Sequence, residues 1–125
     1  MKIIKKKIIS ICKKFFFNFD IDFNGKSLSL LKKKKIKYNF TRNELKKILS
    51  LSKELNEDIR LCLHDNFLST LQSMIIVNRK SSTLFPHYHK NMDEVFTIIH
   101  GKCFFYEFDK KGKIIEKLEM TKKKK

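Results

Sequence analysis

The feature that most limits the fold is a change of hydrophobic period at Glu57-Asp58. Upstream, Leu45, Ile48, Leu49 and Leu55 recur at helical spacing on one face. Thr41-Arg42-Asn43-Glu44 has the form of a capping box, in which the Thr hydroxyl and the Glu carboxylate satisfy backbone donors at a helix start. Together they predict a helix over 42–54. Downstream the period is two: Ile59, Leu61 and Leu63 alternate with Arg60, Cys62 and His64, as in a strand with one apolar face and one polar face. Further strand-like runs lie at 71–78, 84–89, 94–100, 102–108 and 113–119, with turns at Gly101 and Asp109-Lys110-Lys111-Gly112. Short strands at this spacing, without alternating helices, predict a mainly β fold, an antiparallel sandwich or barrel with an N-terminal helix, and exclude a doubly wound sheet.

Charge divides the chain differently. Of the net +16, residues 1–37 hold +10, from twelve Lys against Asp20 and Asp22, and Lys122 to Lys125 hold +4. Only +2 remains for 38–121. The organisation read from this is a basic N-terminal appendage (1–37), a β domain with a leading helix (38–121) and a Lys tail (122–125). In the appendage, Asn24-Gly25 is a turn signal. Phe15, Phe16, Phe17 and Phe19 either pack on the domain as a strand or stay exposed. Lys outnumbers Arg 26 to 3, whereas base reading and bidentate phosphate contacts lean on Arg. A specific nucleic-acid function is therefore not expected.

Cys12, Cys62 and Cys103 are odd in number and widely spaced, which fits neither a zinc knuckle nor a disulfide framework and suits a reducing cytoplasm. The apolar runs near the N-terminus are broken by Lys13 and Lys14 and are too short for a signal peptide. No stretch reaches the roughly 20 apolar residues of a membrane span. Attachment to an anionic membrane surface through 1–19 is the remaining membrane reading.

The chemistry concentrates in Pro86-His87-Tyr88-His89-Lys90-Asn91-Met92-Asp93-Glu94 and the apolar run that follows it to His100-Gly101. Two His one residue apart on a strand project to one face, about 7 Å apart along it. After a short turn, Glu94 can bring a carboxylate beside them. Two imidazoles and a carboxylate suit Fe, Mn, Zn, Co or Ni, and as a facial triad they leave positions open for water or substrate. The competing account is a pair of surface histidines beside a solvated Asp93-Glu94. Tyr88 alternates out of the His face and is expected to pack; His100 is too far along the strand to share the metal.

The spacing His-x-His, four residues, Glu, six residues, Gly, carried by His87, His89, Glu94 and Gly101, resembles the first cupin motif, with Ser81 in place of the usual upstream Gly. More narrowly, Arg60-Leu61-Cys62-Leu63-His64, the Pro86 to His89 run, and Phe105-Tyr106-Glu107-Phe108-Asp109 through Glu116 resemble the WbuC family of cupin-fold metalloproteins, over roughly 40–120. That resemblance implies a cupin-like antiparallel β-barrel, a bound divalent metal held by His87, His89 and Glu94, and an association with bacterial surface-polysaccharide (O-antigen, lipopolysaccharide) biosynthesis. It implies no defined reaction. Cupins carry a second motif, with a further His ligand, in closing strands that would follow the last residue of this sequence. The expectation is thus an incomplete double-stranded β-helix, truncated or completed by a partner chain.

Arg60 and His64 share the polar face of their strand and are candidate substrate-binding residues: Arg60 for an anionic sugar or carboxylate, His64 for the pocket or, as a second reading, a hydrogen-bonded structural histidine. No catalytic residue is assigned. Three functions compete: a sugar-modifying enzyme using the metal, a non-enzymatic saccharide-sensing module, and an inactive cupin remnant whose Lys-rich ends bind polyanions. A saccharide-like ligand and a homo-oligomer are the expected partners.

Overall fold

The computed structural model describes residues 2–15, 19–23, 27–32, 40–64, 66 and 68–122. The elements run α1 (Lys2–Phe15), β1 (Phe19–Asp22), β2 (Leu28–Lys32), α2 (Arg42–Leu55), β3 (Ile59–Cys62), β4 (Met74–Val77), β5 (Lys102–Phe108) and β6 (Ile114–Thr121). The chain forms two compact units, Met1–Ser82 and Thr83–Lys125. The fold is mainly β, with two sheets and an N-terminal helix, and among the described residues the sheets do not close into a barrel.

In the first unit the sheet order is β1-β2-β3-β4, with β2 and β3 parallel and the outer pairs antiparallel. A parallel pair needs a crossover, and α2 lies in it. Register makes the core: Ile21, Leu30, Leu61 and Ile75 form one row across the sheet, and Leu28, Ile59 and Val77 a second. Onto this apolar face α2 brings Ile48 and Leu51, and α1 brings Cys12. Leu30, Ile48, Leu51, Ile59 and Leu61 are each 0% exposed, a burial that stabilises by roughly 1.5–3 kcal/mol per side chain.

The capping box forms as the sequence predicts. Thr41 Oγ1 accepts from the Glu44 N–H at 3.1 Å, and Glu44 Oε2 accepts from the Thr41 N–H at 2.8 Å. Asn56, at φ 59°, ends the helix in the left-handed conformation that Asn tolerates. Asp58 then accepts from the Arg79 N–H and the Ser82 hydroxyl, and the Arg79 guanidinium donates to the Asn56 carbonyl. These bonds tie the chain leaving β4 to the turn before β3.

Residues 2–32, read from sequence as a basic appendage, supply a helix and two strands of this unit. In α1, Ile8, Ile11, Cys12 and Phe15 pack against the core, while Lys5, Lys6, Lys7, Lys13 and Lys14 are exposed. This spacing of three, four and seven is helical. Phe19, which the sequence left open, packs as part of β1, as does Ile21. Part of the apolar side of α1 is thus packed inside the protein, while Ile4 on the same side is 64% exposed. That leaves less of the apolar face that a membrane-surface helix would insert. No helix among the described residues is long and apolar enough to cross a membrane. The Asn24-Gly25 turn, Phe16, Phe17 and Lys123 to Lys125 lie outside the described residues.

The second unit is an irregular segment followed by an antiparallel hairpin. β5 pairs with β6 with a register shift between Glu107 and Phe108. The turn predicted at 109–112 is present: Asp109 Oδ1 accepts from the N–H groups of Lys111 and Lys113, and Gly112 takes φ +80°, which favours glycine. Gly101, at φ +79°, does the same at the entry to β5. The strands expected over 84–89 and 94–100 do not form. Among the described residues no strand pairs with either run, so their ladder bonds are not made, and Phe85, Tyr88 and Val95 are exposed at 81%, 84% and 94%. The packing expected of Tyr88 is corrected by the same observation. Phe96 stacks at a tilt on Phe105, with ring centroids 4.5 Å apart, and holds the segment to the hairpin.

Candidate metal centre

The three sequence-predicted ligands lie together in the second unit, on an irregular segment instead of two strands. A turn at Lys90-Asn91 carries the chain back so that Glu94 meets His89. Glu94 Oε1 is 3.3 Å from His89 Nε2. The rings of His87 and His89 are 5.3 Å apart at 82°, an edge-to-face pair. The site is open: the His89 and Glu94 side chains are 37% and 46% exposed.

Proton positions follow from the partners. His87 Nδ1 is 2.8 Å from the Phe85 carbonyl. A carbonyl only accepts, so Nδ1 carries the hydrogen and Nε2 keeps the lone pair. A backbone carbonyl fixing the far nitrogen is how metal-binding histidines are commonly oriented. Sequence reasoning did not find the Phe85 carbonyl, because a backbone acceptor two residues away has no signature in residue types. His89 is in the opposite condition. Its Nε2 faces a carboxylate, which also only accepts, so that nitrogen holds a proton.

As they stand, no three His, Cys, Asp or Glu side chains among the described residues are arranged to hold a metal ion. The donor set itself suits a borderline divalent cation. Ligation needs His89 to release its Nε2 proton, or to turn Nδ1 inward, and Glu94 to exchange a hydrogen bond for a shorter bond of about 2.0–2.2 Å.

Arg60 and His64 belong to the first unit and lie toward the sheet's second face. There the register aligns Asp22, Ser29, Arg60 and Ile76 in one row and Asp20, Leu31, Cys62 and Met74 in the next. Arg60 Nε is buried with no hydrogen-bond partner among the described residues. Burial pushes the Cys62 thiol up; the Arg60 charge opposes this and Asp22 adds to it. His64 is 3% exposed, and its Nδ1 is 3.0 Å from the Ser73 carbonyl, which also accepts from the Leu63 N–H. His64 therefore extends the β3–β4 pairing beyond its last ladder residue. The other chemistry-bearing residues are apart from the triad in kind: His100 is exposed at the bend before Gly101, and Cys12, Cys62 and Cys103 are all free thiols.

A β-rich protein in two units, with two histidines and a glutamate gathered on one open segment, is the class that the geometry defines. A family model described as a domain of unknown function, DUF6016, matches residues 46–120, and the chain belongs to that family. The match begins within α2 and reaches β6, so it takes in Arg60, His64 and the triad. No curated protein and no solved structure matches the chain.

Proposed function

We propose that this protein binds one divalent metal ion through His87, His89 and Glu94, in a cupin-type site resembling that of the WbuC metalloproteins, and that it acts on or senses a saccharide in bacterial surface-polysaccharide biosynthesis. The observation that carries the reading is that His89 lies near both other candidates: 3.3 Å from Glu94, and 5.3 Å from His87 between ring centroids. The Phe85 carbonyl further supports it by leaving His87 Nε2 available.

A metal held there would supply Lewis-acid polarisation or an acidified water. The protein's own part would be to orient His87 through the Phe85 carbonyl and to present His89 and Glu94 on an open segment. Arg60, on the second face of the first unit's sheet, is proposed to bind the anionic part of a ligand. The reading also includes a cupin-like barrel completed in a homo-oligomer, in the reducing cytoplasm that three free thiols suit.

A saccharide-sensing module without turnover is the second reading. It is favoured by the exposure of Tyr88 and Val95 beside the ligands, since metal sites that catalyse commonly exclude water. Metal-dependent turnover of nucleotide sugars separates the two.

The test is metal analysis of wild type and His87→Ala after loading with zinc or nickel and removal of excess. Wild type should retain about one ion per chain, and the variant should lose most of it. Equal occupancy in both would remove the site.

A further inference from the structure

The β5–β6 hairpin is a two-stranded sheet by itself among the described residues. Two-stranded hairpins are at best marginally stable in water and gain stability by adding strands. Here β5 and β6 pair only with each other among the described residues. No side chain of the hairpin is fully buried, and Phe104, Tyr106, Ile114, Ile115 and Leu118 are 43–63% exposed. An exposed edge of this kind templates further pairing unless charge or shape prevents it.

The sequence of β6, Ile-Ile-Glu-Lys-Leu-Glu-Met-Thr, discriminates sharply among self-pairings. Two copies related by a twofold axis normal to the sheet pair antiparallel, with one residue opposite its own copy at the centre, because side chains must stay on their own face. Centring on Glu116 or Glu119 opposes two carboxylates, and centring on Lys117 opposes two ammonium groups. Centring on Ile115 sets Lys117 against Lys113, and on Met120 sets Leu118 against Lys122. Centring on Leu118 alone sets leucine on leucine, with Lys117 opposite the copy's Glu119 and Glu119 opposite the copy's Lys117. Opposite-charge cross-strand pairs stabilise and like-charge pairs destabilise.

Both charged side chains already stand on one face of the hairpin. Lys117 lies over the rings of Phe104 and Tyr106, with Nζ 4.8 and 5.6 Å from the centroids, and Glu119 is 3.4 Å from Lys102. The aromatic and aliphatic stems around them would be partly covered by the neighbouring strand of the copy. We infer that β6 is a self-recognition edge, pairing antiparallel with β6 of a second copy of this chain about Leu118 to give a continuous four-stranded sheet β5-β6-β6-β5. This gives the proposed homo-oligomer its surface; it rests on that part of the functional reading and not on the metal triad.

The experiment is sedimentation or light scattering of the full chain and two charge-reversed variants, Lys117→Glu and Glu119→Lys. Wild type should be dimeric. Each variant creates like-charge pairs at both symmetric positions and should raise the dimer dissociation constant by about tenfold or more. An equimolar mixture of the two variants restores opposite charges at both positions and should dimerise again, which a folding defect in either would prevent. A monomeric wild type, a dimer indifferent to both reversals, or a mixture that stays monomeric would overturn the inference. Zinc bound per chain, measured on the same samples, reports on the triad separately, so a failed edge and a failed metal site give different results.

Discussion

The two units hold their shape by different means. In the first, two rows of aliphatic side chains run across four strands and are closed by two helices, and every fully buried apolar residue of the described chain belongs to it. In the second, a hairpin and an irregular segment bury no residue completely, and the ligand candidates sit on the irregular part. A packed core fixes side chains without outside help. The irregular segment has no such core, and on the reading proposed above a bound metal ion would order it, as it does small metal-binding elements. The contrast teaches that burial is concentrated in the first unit, while the residues proposed to bind metal lie in the second, where none is fully buried.

The largest expected effect tests that separation. Leu61→Ala removes a side chain that is 0% exposed and should cost roughly 2–5 kcal/mol in urea unfolding. Leu84→Ala, at a position 54% exposed in the second unit, should change stability by about 0.5 kcal/mol or less. Similar losses from both would erase the difference between the units.

A smaller effect comes from the buried thiols. Burial raises Cys12 from an ordinary value near 9 to about 11, with a backbone hydrogen bond opposing the shift, and raises Cys62 in the same direction. The unfolded thiols ionise first as pH rises, so the contribution of these groups is complete below about 9 and is lost as pH climbs towards 11. Urea midpoints should fall across that window, and less steeply in Cys12→Ala. Iodoacetamide at pH 8 should reach the half-buried Cys103 before Cys12 or Cys62. Equal labelling of all three thiols would show the first unit to be looser than described. Smaller again, Thr41→Ala removes the hydroxyl from the capping box and should cost about 1 kcal/mol. An unchanged midpoint would mean that α2 is held by packing alone.

What the sequence makes legible follows from the range of the interactions. The capping box at Thr41–Glu44, the turn at Asp109–Gly112 and the alternation at Ile59 and Leu61 are local, and all three appear as expected. The parallel pairing of β2 with β3 is not local, since the residues it joins are separated by about thirty positions and a helix. No pattern within residues 28–32 announces it. In α1 the spacing of Ile8, Ile11, Cys12 and Phe15 is helical, but the Lys runs at 5–7 and 13–14 obscure it. The runs at 84–89 and 94–100 show the opposite failure: strand-like composition is not enough where no neighbour supplies the ladder. The nearness of His89 to Glu94 follows from the short turn between them, with or without strands.

Amide hydrogen exchange of the full chain, with zinc and with a chelator, tests the metal centre and the division of roles at once. Zinc should slow exchange across residues 85–96 in wild type and leave residues 42–62 unchanged, and His89→Ala should abolish the slowing. Exchange in 85–96 that is indifferent to zinc, or is slowed equally in His89→Ala, would contradict a site built from these three side chains.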